Sequence, residues 1–146
     1  MSVTLTENAK RLELEALGYE FSDTEGDYYD ANWLNVGIRY DNGILSFRQV
    51  DSCLLAFELK ELTLALEAIL EGRESGTITD FTEPYLALSV TRAGETYAVQ
   101  VRFVYDTANP LKEVCVCEGM DRRGLTELNN GLKKMYARFP RRDGKD

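Results

Sequence analysis

The side chains able to do chemistry in this chain are almost all carboxylates. Of 146 residues, 25 are Asp or Glu, 17 are Lys or Arg, and none is His. Without His the commonest general base, metal ligand and near-neutral pH switch are missing together, so a Ser-His or Cys-His nucleophile is excluded. Two carboxylate pairs, Asp27 with Asp30 and Glu58 with Glu61, have spacings that would let them converge on a metal ion. Neither has the Gly turn and alternating acids of an EF-hand loop, and neither belongs to a D-x-D or H-E-x-x-H motif. Glu58, Lys60 and Glu61 are therefore expected on the wet face of a helix. Cys53, Cys115 and Cys117 are an odd count without paired spacing. The C-x-C pair lies in an apolar run and reads as two strand residues directed to the same face. Gly-rich phosphate loops are absent; Arg122-Arg123 and the basic second helix could suggest phosphate binding, but a basic turn at the C-terminal end of a helix also complements its dipole and neighbouring acids, and that reading is preferred. No metal or cofactor is expected, and the chain reads as a binding protein, not an enzyme.

Charge is unevenly placed. The formal net charge is -8, yet residues 122–146 carry eight bases against three acids, which leaves -13 on residues 1–121. Between Leu12 and Ile38 stand seven acids (Glu13, Glu15, Glu20, Asp23, Glu25, Asp27, Asp30) and no base. Such a field repels nucleic acid and attracts basic proteins, besides keeping a surface soluble. Tyr28, Tyr29 and Trp33 follow the acids, and Tyr and Trp are favoured contact residues. Asp23, Glu25, Asp27, Tyr28 and Asp30, with Asp41 at a hairpin tip, are the candidate partner-binding residues. Tyr28 and Tyr29 are adjacent in a segment read as extended, so one of them and Trp33 are expected to fill core.

The elements that must position this stretch follow from periodicity. Residues 1 to 10 are polar and expected to fray. Arg11–Phe21 alternates as a half-buried strand, with a phase change at Leu17-Gly18 that predicts a bulge. In Trp33–Tyr40, Leu34, Val36, Ile38 and Tyr40 share one face. Asp41-Asn42-Gly43 then predicts a hairpin to a strand over Ile44–Val50. From Cys53 the period becomes helical, with Leu55, Leu59, Leu62, Leu66, Ile69 and Leu70 on one stripe and Gly72 as the terminating residue. Further strands are expected at Thr77–Phe81, from Leu86, over Tyr97–Tyr105 and over Leu111–Cys117. A second helix, capped by Asp121 and ended by Pro140, buries Leu125, Leu128, Leu132 and Met135; Gly124 and Gly131 weaken it. The fold class is α+β, largely antiparallel sheet of about seven strands in the order βββαββββα, with two amphipathic helices packed on it. Two βββα-like halves are compatible with this order, although no residue-level repeat supports them. Residues 1–140 read as one domain and 141–146 as a charged, disordered tail. No run approaches the roughly 20 apolar residues of a membrane span. No signal peptide is read at the N-terminus, so the expected location is cytoplasmic.

The chain resembles the WapI-type immunity proteins, the small antidotes of contact-dependent, WapA-type polymorphic toxins of bacteria. The resemblance runs through Tyr29-Asp30-Ala31-Asn32-Trp33-Leu34-Asn35, Gly43, Ser46-Phe47 and Phe57-Glu58-Leu59-x-Glu61-Leu62. It continues in Phe81-x-Glu83-Pro84 and Arg138-Phe139-Pro140. It implies a non-catalytic protein that binds and neutralises the C-terminal domain of a cognate toxin, a nuclease acting on tRNA in the named member. The family supplies no catalytic residues to carry over. The residues alone leave open a second class, a small-ligand or regulatory domain, and homo-oligomerisation as well.

Overall fold

The computed structural model of the chain describes residues 2–22 and 26–143. Ser2–Glu7 (β1) and Lys10–Tyr19 (β2) form an antiparallel hairpin turned at Asn8-Ala9, where Asn8 has φ +52°. Asn tolerates that left-handed geometry better than most residues do. The expected N-terminal fray is corrected to a sheet edge strand, because Val3 and Leu5 alternate with Ser2, Thr4 and Thr6 and are buried. The predicted irregularity in β2 is present as a register shift between Ala16 and Gly18.

Trp33–Asp41 (β3) and Ser46–Leu55 (β4) pair as read from the hairpin signal. Gly43 supplies the positive φ of +87° at the turn, and the Asp41 and Asn42 side chains accept the N–H groups of Gly43, Ile44 and Leu45. Strand geometry continues through Leu55, so the helix Ala56–Leu70 (α2) starts three residues after Cys53. Burial pushes the Cys53 thiol up to about 12. Gly72, at φ +77°, donates to Ile69 O at the end of α2, the role expected of it.

The second half repeats the pattern. Gly76–Ile78 (β5), Leu86–Ala93 (β6), Thr96–Asp106 (β7) and Lys112–Met120 (β8) lead to Arg122–Arg138 (α3). Asp121 caps α3 through the N–H of Gly124 at 2.8 Å. Strand order is β1-β2-β3-β4 in one antiparallel sheet and β5-β6-β7-β8 in the other. The fold is therefore α+β and mostly sheet, with eight strands where seven are read from the sequence.

The two sheets adjoin along β1 and β8 without a backbone ladder. Glu118 Oε1 accepts the Thr6 N–H at 2.6 Å, and Glu7 Oε1 accepts the Cys117 N–H at 2.9 Å. Two carboxylates thus satisfy edge amides that would otherwise need a neighbouring strand. Val114 and Val116 face the core, so Cys115 and Cys117 share the opposite face as expected. Away from this seam, Phe47 of β4 lies against Tyr105 of β7, with ring centroids 4.9 Å apart. Leu59 and Leu62 of α2, and Leu128 and Leu132 of α3, complete one core with both sheets. The apolar space left inside that core is about 30 Å³.

Glu58 corrects an expectation of surface exposure. It is 5% exposed, and its two oxygens accept the N–H of Leu55 at 3.1 Å and of Thr82 at 2.7 Å. The carboxylate caps its own helix and holds the link between β5 and β6. Lys60 and Glu61 are exposed as expected. No helix among the described residues is long and apolar enough to cross a membrane.

Candidate protein-binding surface

The acidic stretch is the connection between β2 and β3. It contains one helical turn, Tyr28–Asn32 (α1), where an extended segment is expected. Asp27 starts that turn, its Oδ1 accepting the Asp30 N–H at 2.9 Å, as short acidic side chains do at helix starts. Gly26 is needed beside it: a Cβ there would lie 2.5 Å from Asp30 Cβ.

The helical turn changes where the tyrosines go. Neither is core: Tyr28 is 36% and Tyr29 50% exposed, while Trp33 is half-buried. Residues one apart on a helix diverge by only about 100°, whereas in a strand they point to opposite faces. Both rings therefore gather on Phe57, in the first turn of α2. Tyr28 stacks on it at 4.7 Å and 7°, and Tyr29 meets it edge-on at 5.8 Å. Half-buried Phe57 is the residue of this corner that sequence reasoning missed. Its signal was present as the one aromatic in α2, outside the leucine stripe.

Below the aromatic cluster lies a buried polar anchor. Asn32 is fully buried, and its Nδ2 donates to Tyr28 O at 2.7 Å and to Arg142 O at 2.8 Å. The Arg142 N–H returns a bond to Asn32 Oδ1 at 2.8 Å. Residues 144–146 of the expected tail lie outside the described residues, whereas Arg142 is bound here.

Asp27, Tyr28 and Asp30 thus come together, with Tyr29, Phe57 and exposed Glu20 nearby in the fold. Asp23 and Glu25 belong to the same connection but lie outside the described residues. Asp41 does not join this corner. It stands at the opposite end of β3, roughly 26 Å along the strand from Trp33, with its carboxylate turned to the Gly43 N–H. Glu13 and Glu15 are on the outer face of β2, where Glu13 pairs with Arg11 at 3.6 Å. Arg122 donates to Leu70 O at the C-terminal end of α2, and Arg123 pairs with Glu127 at 3.2 Å. Arg122 thus meets the C-terminal end of α2 and Arg123 a neighbouring acid, while the basic residue in the last turn of α3, where it complements the dipole, is Arg138. Among the described residues, no three His, Cys, Asp or Glu side chains form a group able to hold a metal ion.

A model of the WapI-like immunity protein family matches residues 4–140. The chain belongs to the WapI-like immunity protein family. The match begins well before the stretch whose residues carry the resemblance and takes in most of β1, the other seven strands and all three helices. It ends at Pro140, two residues short of the Arg142 anchor. A search of curated proteins returns no match. Membership carries an immunity-type function and a toxin protein as the general kind of partner.

Proposed function

We propose that this protein binds a cognate bacterial toxin domain, a nuclease, in the cytoplasm and neutralises it by occupying its basic surface. The proposed contact surface is the corner made by Asp27, Tyr28 and Asp30, extended by Tyr29 and Phe57, and Asp23 and Glu25 of the same connection are proposed as further contact residues. One observation carries this choice: exposed Tyr28 and Tyr29 pack on Phe57 between exposed carboxylates. Packed aromatics supply contact area at low entropic cost, and the carboxylates offer negative charge where phosphates would lie on a nuclease. The field of the acidic N-terminal region would steer the encounter. Inhibition of this kind needs occupancy and no turnover. The internal cavity, about 30 Å³ and wholly apolar, is far below the roughly 300–1,000 Å³ of small-ligand sites, which favours a protein partner over a metabolite held in the core.

The test is co-expression and co-purification with the toxin domain encoded beside the gene, followed by charge changes. Asp30→Lys combined with Asp27→Asn removes charge while Asn keeps a side-chain oxygen for the cap. Association at low salt is expected to slow by about tenfold or more, with a shallower salt dependence. A double variant that binds and protects like the parent would move the contact surface elsewhere. Failure of the parent to rescue growth against active toxin would end the immunity reading itself.

A further inference from the structure

We infer that Arg142 is a positioning residue for the acidic corner, a clasp that closes the β2–β3 connection from the far end of the chain. This rests on the corner being the toxin-binding surface, as proposed above. The connection leaves the sheet after Tyr19 and returns at Trp33. Its two ends are already paired where the Glu20 N–H donates to Trp33 O at 2.8 Å; beyond that bond, where like charge crowds the limbs, a cation from elsewhere in the chain can link them. The guanidinium of Arg142 does so: Nη2 donates to Phe21 O at 2.9 Å and Nε to Ala31 O at 2.8 Å. One planar fork therefore grips both the outgoing and the returning limb.

The rest of the residue is fixed as well. Its guanidinium carbon lies 3.6 Å from the centre of the Tyr19 ring, within cation–π range. Its backbone N–H and C=O are both bonded to buried Asn32. Tyr19 in turn meets Phe139 edge-on at 5.7 Å, and its hydroxyl donates to Pro140 O at 2.5 Å. The chain after α3 is thus laid against the base of the corner by side chains from both limbs. A cation here also lowers the repulsion among acids that must crowd into one connection. Lys could keep the charge and the ring contact, but a single ammonium cannot span two carbonyls as a rigid fork does.

The test compares Arg142→Ala and Arg142→Lys with the parent in the full-length protein. The first readout needs no toxin: cleavage at Glu20, whose N–H is bonded to Trp33 O, by a glutamate-specific protease under native conditions. Both variants are expected to be cut about tenfold faster, since cleavage follows local opening, while the global melting temperature changes little. The second readout is a cycle with Asp27→Asn/Asp30→Asn, scored by association with the toxin domain encoded beside the gene. Arg142→Ala should slow association several-fold in the parent and have less than about a twofold effect where the acids are already gone. A general loss of structure would act equally in both backgrounds. Arg142→Lys protected like the parent would show that charge alone suffices and overturn the clasp, as would unchanged cleavage in Arg142→Ala. If cleavage accelerates but the parent forms no complex, the clasp stands and the toxin-binding reading falls.

Discussion

The two halves of the molecule run through the same order of elements: four antiparallel strands in sequential order, then a helix, over 2–70 and again over 76–138. They differ most in the connection between their second and third strands. In the second half β6 passes to β7 through two residues, Gly94 and Glu95, with Gly94 at φ +66°. The equivalent connection in the first half, between β2 and β3, takes 13 residues, 20 to 32. A two-residue turn is the least costly way to join adjacent antiparallel strands, and the second half shows that this architecture accepts it. The longer connection is therefore more than joining the two strands requires, although its Ala31 and Asn32 are buried. Long structured loops on a rigid scaffold are where binding residues concentrate, and this one carries acids and two exposed tyrosines.

The halves also interlock instead of merely abutting. Glu58 of α2 accepts the N–H of Thr82, in the link between β5 and β6. A Cβ on Gly131 of α3 would lie 2.6 Å from Val3 Cγ1, so that glycine permits the helix to approach β1. Its helix-weakening effect, legible in the sequence, is the cost of a close contact between halves. Lys133 of α3 reaches Glu67 of α2 at 2.6 Å, and that bond holds the Glu67 carboxyl below its usual range.

The comparison breaks most sharply by making the halves alike. Replacing residues 21–32 with Asn-Gly should give a two-residue turn between Glu20 and Trp33, whose backbones are already hydrogen-bonded. The sheet signal in circular dichroism should persist and toxin-domain binding should vanish. Binding that survived would place the function on parts the halves share. Next in size is Phe103→Ala in β7, which empties a fully buried site that touches Phe47 of the first half. A loss of about 3–5 kcal/mol is expected in urea unfolding. Because Trp33 reports from the first half, its fluorescence should move in one transition with circular dichroism. Two separate transitions would mean two independent cores.

The smallest effect concerns the seam. The Glu7 carboxyl is held below its usual value first by the Cys117 N–H and then by Lys10. A carboxyl with a depressed folded pKa contributes stability that is complete above its unfolded value and is lost as pH falls through the folded one. Glu7→Gln should therefore melt below the parent at about pH 6, with the gap closing toward about pH 3. Parallel melting curves across that window would show that the charge on Glu7 contributes nothing to the joint between sheets.

Legibility followed the range of the interactions. The β3–β4 hairpin could be read because Asp41-Asn42-Gly43 makes its own hydrogen bonds. The bulge in β2, the leucine stripe of α2 and the Asp121 cap are equally local. β1 was missed because six residues offer too short an alternation to separate an edge strand from a frayed end. The surface position of Tyr28 and Tyr29 was misread because α1 is a single turn, shorter than any helical period can reveal. The acids of the corner were visible as a run of like charge, but Phe57 and Arg142 were not. They come to the corner from 25 and 110 residues beyond Asn32.

By itself, then, the sequence determined the apolar faces of β3, α2 and α3, the turn after β3, the absence of histidine chemistry and the concentration of acid before β3. Those properties depend on side-chain period and composition within a few turns of chain. Only the tertiary structure decided that two carboxylates would join the sheets, that Glu58 would be buried as a cap, and that Phe57 and Arg142 would meet at α1. Each of these depends on which distant backbone amides, carbonyls and rings are brought within about 3–6 Å by the packing of both halves. No local pattern encodes that proximity.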